Sequence, residues 1–195
     1  MHRLQAARGA RLSVTSDPSS SRPSPRYEVP PPPPPRDRRH ERAGAVEWTA
    51  LAAVCIVAIC ADQLTKSIAT RALAIGEPTE VLPLFSLERI RNTGIAFGQL
   101  AGQKEIVTVL TLGALVWMVV FFARAGARSP LVPVSIGLLM GGAASNLADR
   151  LRAGSVTDFL HLQHWPIFNL ADCFIVAGVA ILMLELLREE RRRSR

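Results

Sequence analysis

WTALAAVCIVAICADQLTK, residues 48–66, decides the fold. Nothing from Trp48 to Ala61 carries a charge, and Asp62, Gln63 and Lys66 then follow on the same helical continuation. A bilayer core of about 30 Å needs roughly 20 residues of helix. This stretch therefore reads as a membrane span, expected from about Trp48 to Ala69, that reaches a polar boundary in its last third. Three more segments meet the same criterion. They are about 105–123 through IVTVLTLGALVWMVVFFA, 131–151 as LVPVSIGLLMGGAASNLADRL, and 170–187 through ADCFIVAGVAILMLELL. Between the first two spans, residues 73–104 hold TEVLPLFSLERIRNTGIAFGQL, rich in β-branched and aromatic residues with Pro83 and Gly94. That composition favours short strands over helix. The expected fold class is mainly α, an integral membrane protein of four transmembrane helices with a small β-sheet segment on the outer (extracytoplasmic) surface.

The chain divides at about residue 44. Residues 1–44 are rich in Pro, Ser and Arg, with an unbroken run from Pro30 to Pro35. Such a segment buries too little apolar surface to offset its ordering entropy, and its Pro run favours polyproline II. The expected domains are a disordered Pro/Arg-rich tail at 1–44, a four-helix membrane domain at 45–188 and a basic tail at 189–195. Arg38-Arg39 faintly resembles a twin-arginine signal, but the useful polar residues at the end of the first span argue for an uncleaved helix. The net charge of +7 sits largely in the tails. Beside membrane helices, basic tails mark the cytoplasmic side and touch anionic lipid. The Pro-rich, aromatic-poor composition speaks against nucleic acid. Cys55, Cys60 and Cys173 form no CxxC or Cys/His spacing, so neither a disulfide framework nor a zinc site is expected.

The positive-inside rule orients the spans. Arg36, Arg38, Arg39 and Arg42, then Arg124 and Arg128, then Arg188 and the arginines after it fall on one side, which is richer in basic residues than the other. Both termini are thus expected in the cytoplasm. Asp62, Gln63 and Lys66, then Asn92 and Thr93, then Asn146, Asp149 and Arg150, then Asp158, and finally Asn169 and Asp172 all fall toward the outer face. A carboxylate at a membrane boundary costs free energy and is a functional candidate by default. Two that meet in one site suggest shared-proton chemistry.

Each group also has a plainer reading. Asp62 and Lys66 are spaced i,i+4 and either form a structural ion pair or act directly. Arg150 either snorkels to the interface or holds a peptide backbone, as Asn146 can. Asp149 can simply pair with a neighbouring base. Asp172 suits a helix N-terminus and Asn169 an N-cap, but neither role accounts for Asp158. His161 and His164 are expected as interfacial residues, and Cys173 as a packing residue. Gly141-Gly142 suits close helix packing. An ion-coupled carrier would place charge near the midplane and often shows repeated halves, and a scaffold would not need two aspartates at one edge.

Four motifs stand in order: DQLTK at 62–66, NTGIAF at 92–97, GGAASNLADRLRAGSVTDF at 141–159 and FNLAD at 168–172. Together they resemble the prolipoprotein signal peptidase (signal peptidase II) family, over about Trp48 to Leu187. The resemblance implies a bacterial inner-membrane aspartic endopeptidase that cuts diacylglyceryl-modified prolipoproteins on the amino side of the lipidated cysteine. It implies Asp158 and Asp172 as the catalytic pair, and Asn92, Asn146 and Arg150 as substrate-backbone contacts. Asp62, Lys66, Asp149 and Asn169 match further motif positions. No cofactor or metal is expected; the expected partners are the prolipoproteins and membrane lipids, and the expected state is a monomer. Two positions depart from the pattern. Ser145 stands where the family usually has Gly, and is expected to tighten helix packing slightly. Arg91 stands where a less charged residue is common, and is expected at the outer lip of the site.

Overall fold

The structure, a computed structural model, describes residues 43–94, 103–125 and 129–194. The Pro-rich segment through Arg42, Arg128, and residues 95–97 of the NTGIAF motif lie outside the described residues. The elements run α1 (Ala45–Ala72), β1 (Thr79–Leu82), β2 (Phe85–Asn92), α2 (Lys104–Ala125), α3 (Leu131–Ala153), β3 (Val156–Leu162) and α4 (Leu170–Arg193). All four helices are long and apolar enough to cross a membrane. Each is wider than hydropathy alone draws it, because helix continues into flanking charged residues that hydropathy discounts. α4 runs past Leu187 as far as Arg193; Glu and Arg are good helix formers there, and Arg188 pairs with Glu185 at 2.8 Å.

The packing is unequal. α3 lies at the centre and touches α1, α2 and α4. The other helices leave large apolar side chains exposed, among them Val57, Trp117 and Val176, which suits a lipid solvent. One end of the bundle is held by Leu51, Phe122 and Ile136, with Trp48 set edge-on to Phe122 at 4.8 Å. The opposite end carries the polar residues.

Small residues let α3 reach its neighbours. A Cβ on Gly142 would lie 2.5 Å from the Ala171 carbonyl oxygen and 2.8 Å from Ile175 Cγ1. Gly142→Ala is expected to push α4 away and to cost about 1–3 kcal/mol. Gly113 on α2 has nothing within 4 Å of a built Cβ, so Gly113→Ala should leave the melting temperature in detergent unchanged or raised. Equal melting temperatures for the two variants would contradict this packing.

The expected strands between α1 and α2 are present, and a third was not foreseen. Val156–Leu162 lies between the third and fourth spans and forms β3 of an antiparallel sheet ordered β1-β2-β3. Its run VTDFLHL is bounded by Gly154-Ser155 and a turn at Gln163-His164, a strand signal obscured by Asp158 and His161. The β2–β3 register sets Ile90 opposite Asp158 and Asn92 opposite Val156. β3 also packs on α1 and α3, so the sheet is joined to the polar end of the bundle. Pro83 and Leu84 turn the β1–β2 hairpin, with Leu84 in the left-handed region at φ 70°. The Leu84 carbonyl accepts from Gln163 N–H at 2.9 Å, which ties this turn to the end of β3.

Candidate active site

The site starts at the first turn of α4. Asn169 caps the helix by accepting from Asp172 N–H at 3.1 Å, and Asp172 Oδ2 accepts from Asn169 N–H at 3.2 Å. This capping box fixes both side chains relative to the helix axis. Asn169 is fully buried, and its amide nitrogen also donates to Asp158 Oδ1 at 2.6 Å and to Asn146 Oδ1 at 3.1 Å. Asn146, from α3, donates to Asp172 Oδ1 at 3.0 Å. Two carboxylates from β3 and α4 are thus joined through two amides.

β2 completes the front of the site. Asn92 donates to Asp158 Oδ2 at 2.8 Å, and its own oxygen accepts from Gly94 N–H at 2.9 Å, which fixes the amide's orientation. Arg150 donates to the Gly94 carbonyl at 2.9 Å. Asp158 and Asp172 line one cavity of about 880 Å³, a volume that suits a sizeable ligand. Its polar wall holds Asn92, Asn146, Arg150 and Asn169, and Arg91 stands exposed on its rim. Its apolar wall comes from Trp165–Phe168 and, along α4, Ile175, Val176, Ala177 and Ala180.

Behind the cavity sits a buried ammonium. Lys66 Nζ reaches Asp62 Oδ2 at 2.7 Å, Asp149 Oδ2 at 2.8 Å and Asn146 Oδ1 at 2.7 Å. Its three protons match three acceptors. Asp62 Oδ1 accepts from the Ala171 N–H at 2.8 Å, so the same cluster holds the start of α4. The i,i+4 pair of Asp62 and Lys66 foreseen in α1 is present, and it is one edge of a larger network.

All nine residues singled out from the sequence meet in this region. Asn92, Asn146, Arg150, Asp158, Asn169 and Asp172 line the cavity, and Asp62, Lys66 and Asp149 stand one layer behind. Asn92 and Asn146 bond the two carboxylates in this structure. Two residues were not assigned to the site. Gln63 donates to Asp149 Oδ1 and to Ser145 Oγ, both at 2.9 Å, and the Ser145 hydroxyl donates to Asp62 Oδ2 at 2.7 Å. Ser145 therefore does more than tighten packing. The departure from Gly at that position was the signal available for it. His161 lies away from the pair, its Nδ1 3.2 Å from Ser86 Oγ and 3.5 Å from Glu88 Oε2. Cys173 lines the cavity beside Asp172.

Burial pushes the Asp158 carboxyl up to about 6, the charge of Asp172 adds to the rise, and the amides of Asn92 and Asn169 oppose it. The unfolded chain has this group near 4. The fold thus binds the proton more tightly, and Asp158 supports stability fully below pH 4 and loses that support as pH rises through about 6. The change amounts to about 3 kcal/mol. Asp158→Asn is expected to remove this dependence, so the wild-type melting temperature should fall relative to the variant's between pH 4 and 7. Parallel curves would contradict the buried-carboxyl account.

The family model for signal peptidase (SPase) II matches residues 54–188. A lipoprotein signal peptidase of Geobacter metallireducens is 38% identical over 150 residues, covering 73% of this chain and 93% of the relative. That of Moorella thermoacetica is 40% identical over 141 residues, covering 70% and 91%. A solved bacterial membrane enzyme superposes with a TM-score of 0.70 at 30% identity, covering 77% of this chain and 93% of its own. The four long apolar helices and this match over most of the chain agree, and the chain belongs to the signal peptidase II family of peptidases.

Proposed function

We propose that this protein removes signal peptides from diacylglyceryl-modified bacterial prolipoproteins, as an aspartic endopeptidase cutting on the amino side of the lipidated cysteine. The observation that carries the reading is one cavity lined by two half- to fully buried carboxylates at its polar end and by an apolar wall along α4. The carboxylates suit amide hydrolysis; the apolar wall suits a substrate with an apolar helix and acyl chains.

Two close carboxylates do not readily ionise together, so the pair holds one proton between them. The ionised member takes a proton from water as that water attacks the scissile carbonyl. The protonated member donates toward the developing oxyanion or the leaving amine. The amides of Asn92, Asn146 and Asn169 hold both carboxylates in place. Arg150, held to the Gly94 carbonyl, faces the same cavity with charge to offer the substrate backbone.

The protein acts as a multi-pass bacterial membrane enzyme, monomeric and in contact with lipid. Both termini, including the 1–44 and 189–195 tails, are cytoplasmic, and the site and sheet lie near the outer face. Alternation of the spans supports this: Lys66, Asn146 and Asp172 share one end, while Arg124 and Arg188 close helices at the other. The test is lipid dependence. Purified protein in detergent should cleave a diacylglyceryl-modified prolipoprotein and leave the same chain without lipid intact. Equal cleavage of both would reject the lipid-dependent substrate class.

A further inference from the structure

Ser145 is fully buried, yet the hydrolysis described above uses none of its atoms. Its hydroxyl sits between two helices, donating to Asp62 Oδ2 on α1 and accepting from Gln63 Nε2, also on α1. By direct ion pairs alone, the cluster it joins holds more negative than positive charge. One ammonium, Lys66, faces two carboxylates, Asp62 and Asp149. Neutral donors spread the surplus negative charge: the Ser145 hydroxyl on Asp62 and the Gln63 amide on Asp149.

That balance controls Asn146. Its Oδ1 faces Lys66 Nζ and Asn169 Nδ2, both donors, so its amide nitrogen must turn toward Asp172. Without the Ser145 hydroxyl, Asp62 Oδ2 has Lys66 as its remaining partner among the described residues. Lys66 Nζ, already 2.7 Å from Asp62 Oδ2, then bears more of that oxygen's charge at the expense of its bond to Asn146 Oδ1. Asp62 also holds the Ala171 N–H, one residue before Asp172. The backbone just before Asp172 and its side-chain donor Asn146 therefore both depend on how Asp62 is held.

We propose that Ser145 is a positioning residue for the peptidase reaction, acting through Asp62, Lys66 and Asn146 on Asp172. The proposal rests on the aspartate-pair reading. Ser145→Ala is expected to lower kcat about fivefold, since only part of the free energy of the lost hydrogen bond to a charged group reaches Asp172, with KM held and the pH profile of kcat displaced. Gln63→Met should do the same, and the double variant should lose less than the product of the two losses. A purely structural role would lower the melting temperature and leave the pH profile of the folded enzyme in place; that result overturns the proposal, as does a change in KM alone or no change. Should Ser145→Ala fail to accumulate folded, Gln63→Met carries the same reading. Asp158→Asn and Asp172→Asn serve as controls. If both are inactive while Ser145→Ala and Gln63→Met match wild type, this proposal alone fails. If either aspartate variant turns over normally, the pair reading fails and this proposal with it.

Discussion

Lys66→Met is expected to abolish stable folding or to lower stability by about 3–5 kcal/mol. Lys66 is 4% exposed, and its ammonium is the cation to which Asp62 and Asp149 are paired. Removing it strips the buried Asp62 and the largely buried Asp149 of their shared cation, and an uncompensated buried charge is far more costly than an intact pair is stabilising. Lys66→Arg should not rescue the loss, because a planar fork cannot meet three acceptors arranged around one nitrogen. Adding Asp149→Asn to Lys66→Met should recover part of it by removing one of the stranded charges. Thermal unfolding in detergent reads all three. A Lys66→Met protein as stable as wild type would contradict the charge account of the cluster.

Asp158→Asn and Asp172→Asn are each expected to reduce turnover by about a thousandfold or more, the range for removing a general acid or base. Asparagine keeps the shape of the side chain but cannot share or accept the proton. Both substitutions set an amide against existing donors. Asp158 accepts from Asn169 and Asn92, and Asp172 from Asn146 and the Asn169 backbone. Some local adjustment follows, which the capping box and the cluster behind it confine. Because the two residues act as a unit, the double variant should be little worse than either single one. Multiplicative losses would mean that the aspartates work independently.

The four spans were legible because an apolar run of this length has few other fates. The aspartates were legible for a related reason: Asp158 and Asp172 sit where apolar sequence meets a polar boundary, and such placement is costly without a use. β3 was harder to read. Its alternation is broken by Asp158 and Phe159, and its pairing with β2 joins residues far apart in sequence, such as Asn92 and Val156. Ser145 was harder still. A small polar residue within a helix next to Gly and Ala reads as a packing residue, and its partner Asp62 lies 83 positions away on another helix. Sequence shows which polar groups share an end of the bundle; only the fold shows which bond which.

The central claim is that Asp158 and Asp172 together hydrolyse the bond before a lipidated cysteine. Mass spectrometry of a diacylglyceryl-modified prolipoprotein incubated with purified wild type, Asp158→Asn or Asp172→Asn tests it most directly, with circular dichroism to check folding. Wild type should release the signal peptide and leave the lipidated cysteine at the new N-terminus, while both folded variants leave the substrate whole. Turnover near the wild-type rate by either folded variant, or a cut at another bond, would contradict it.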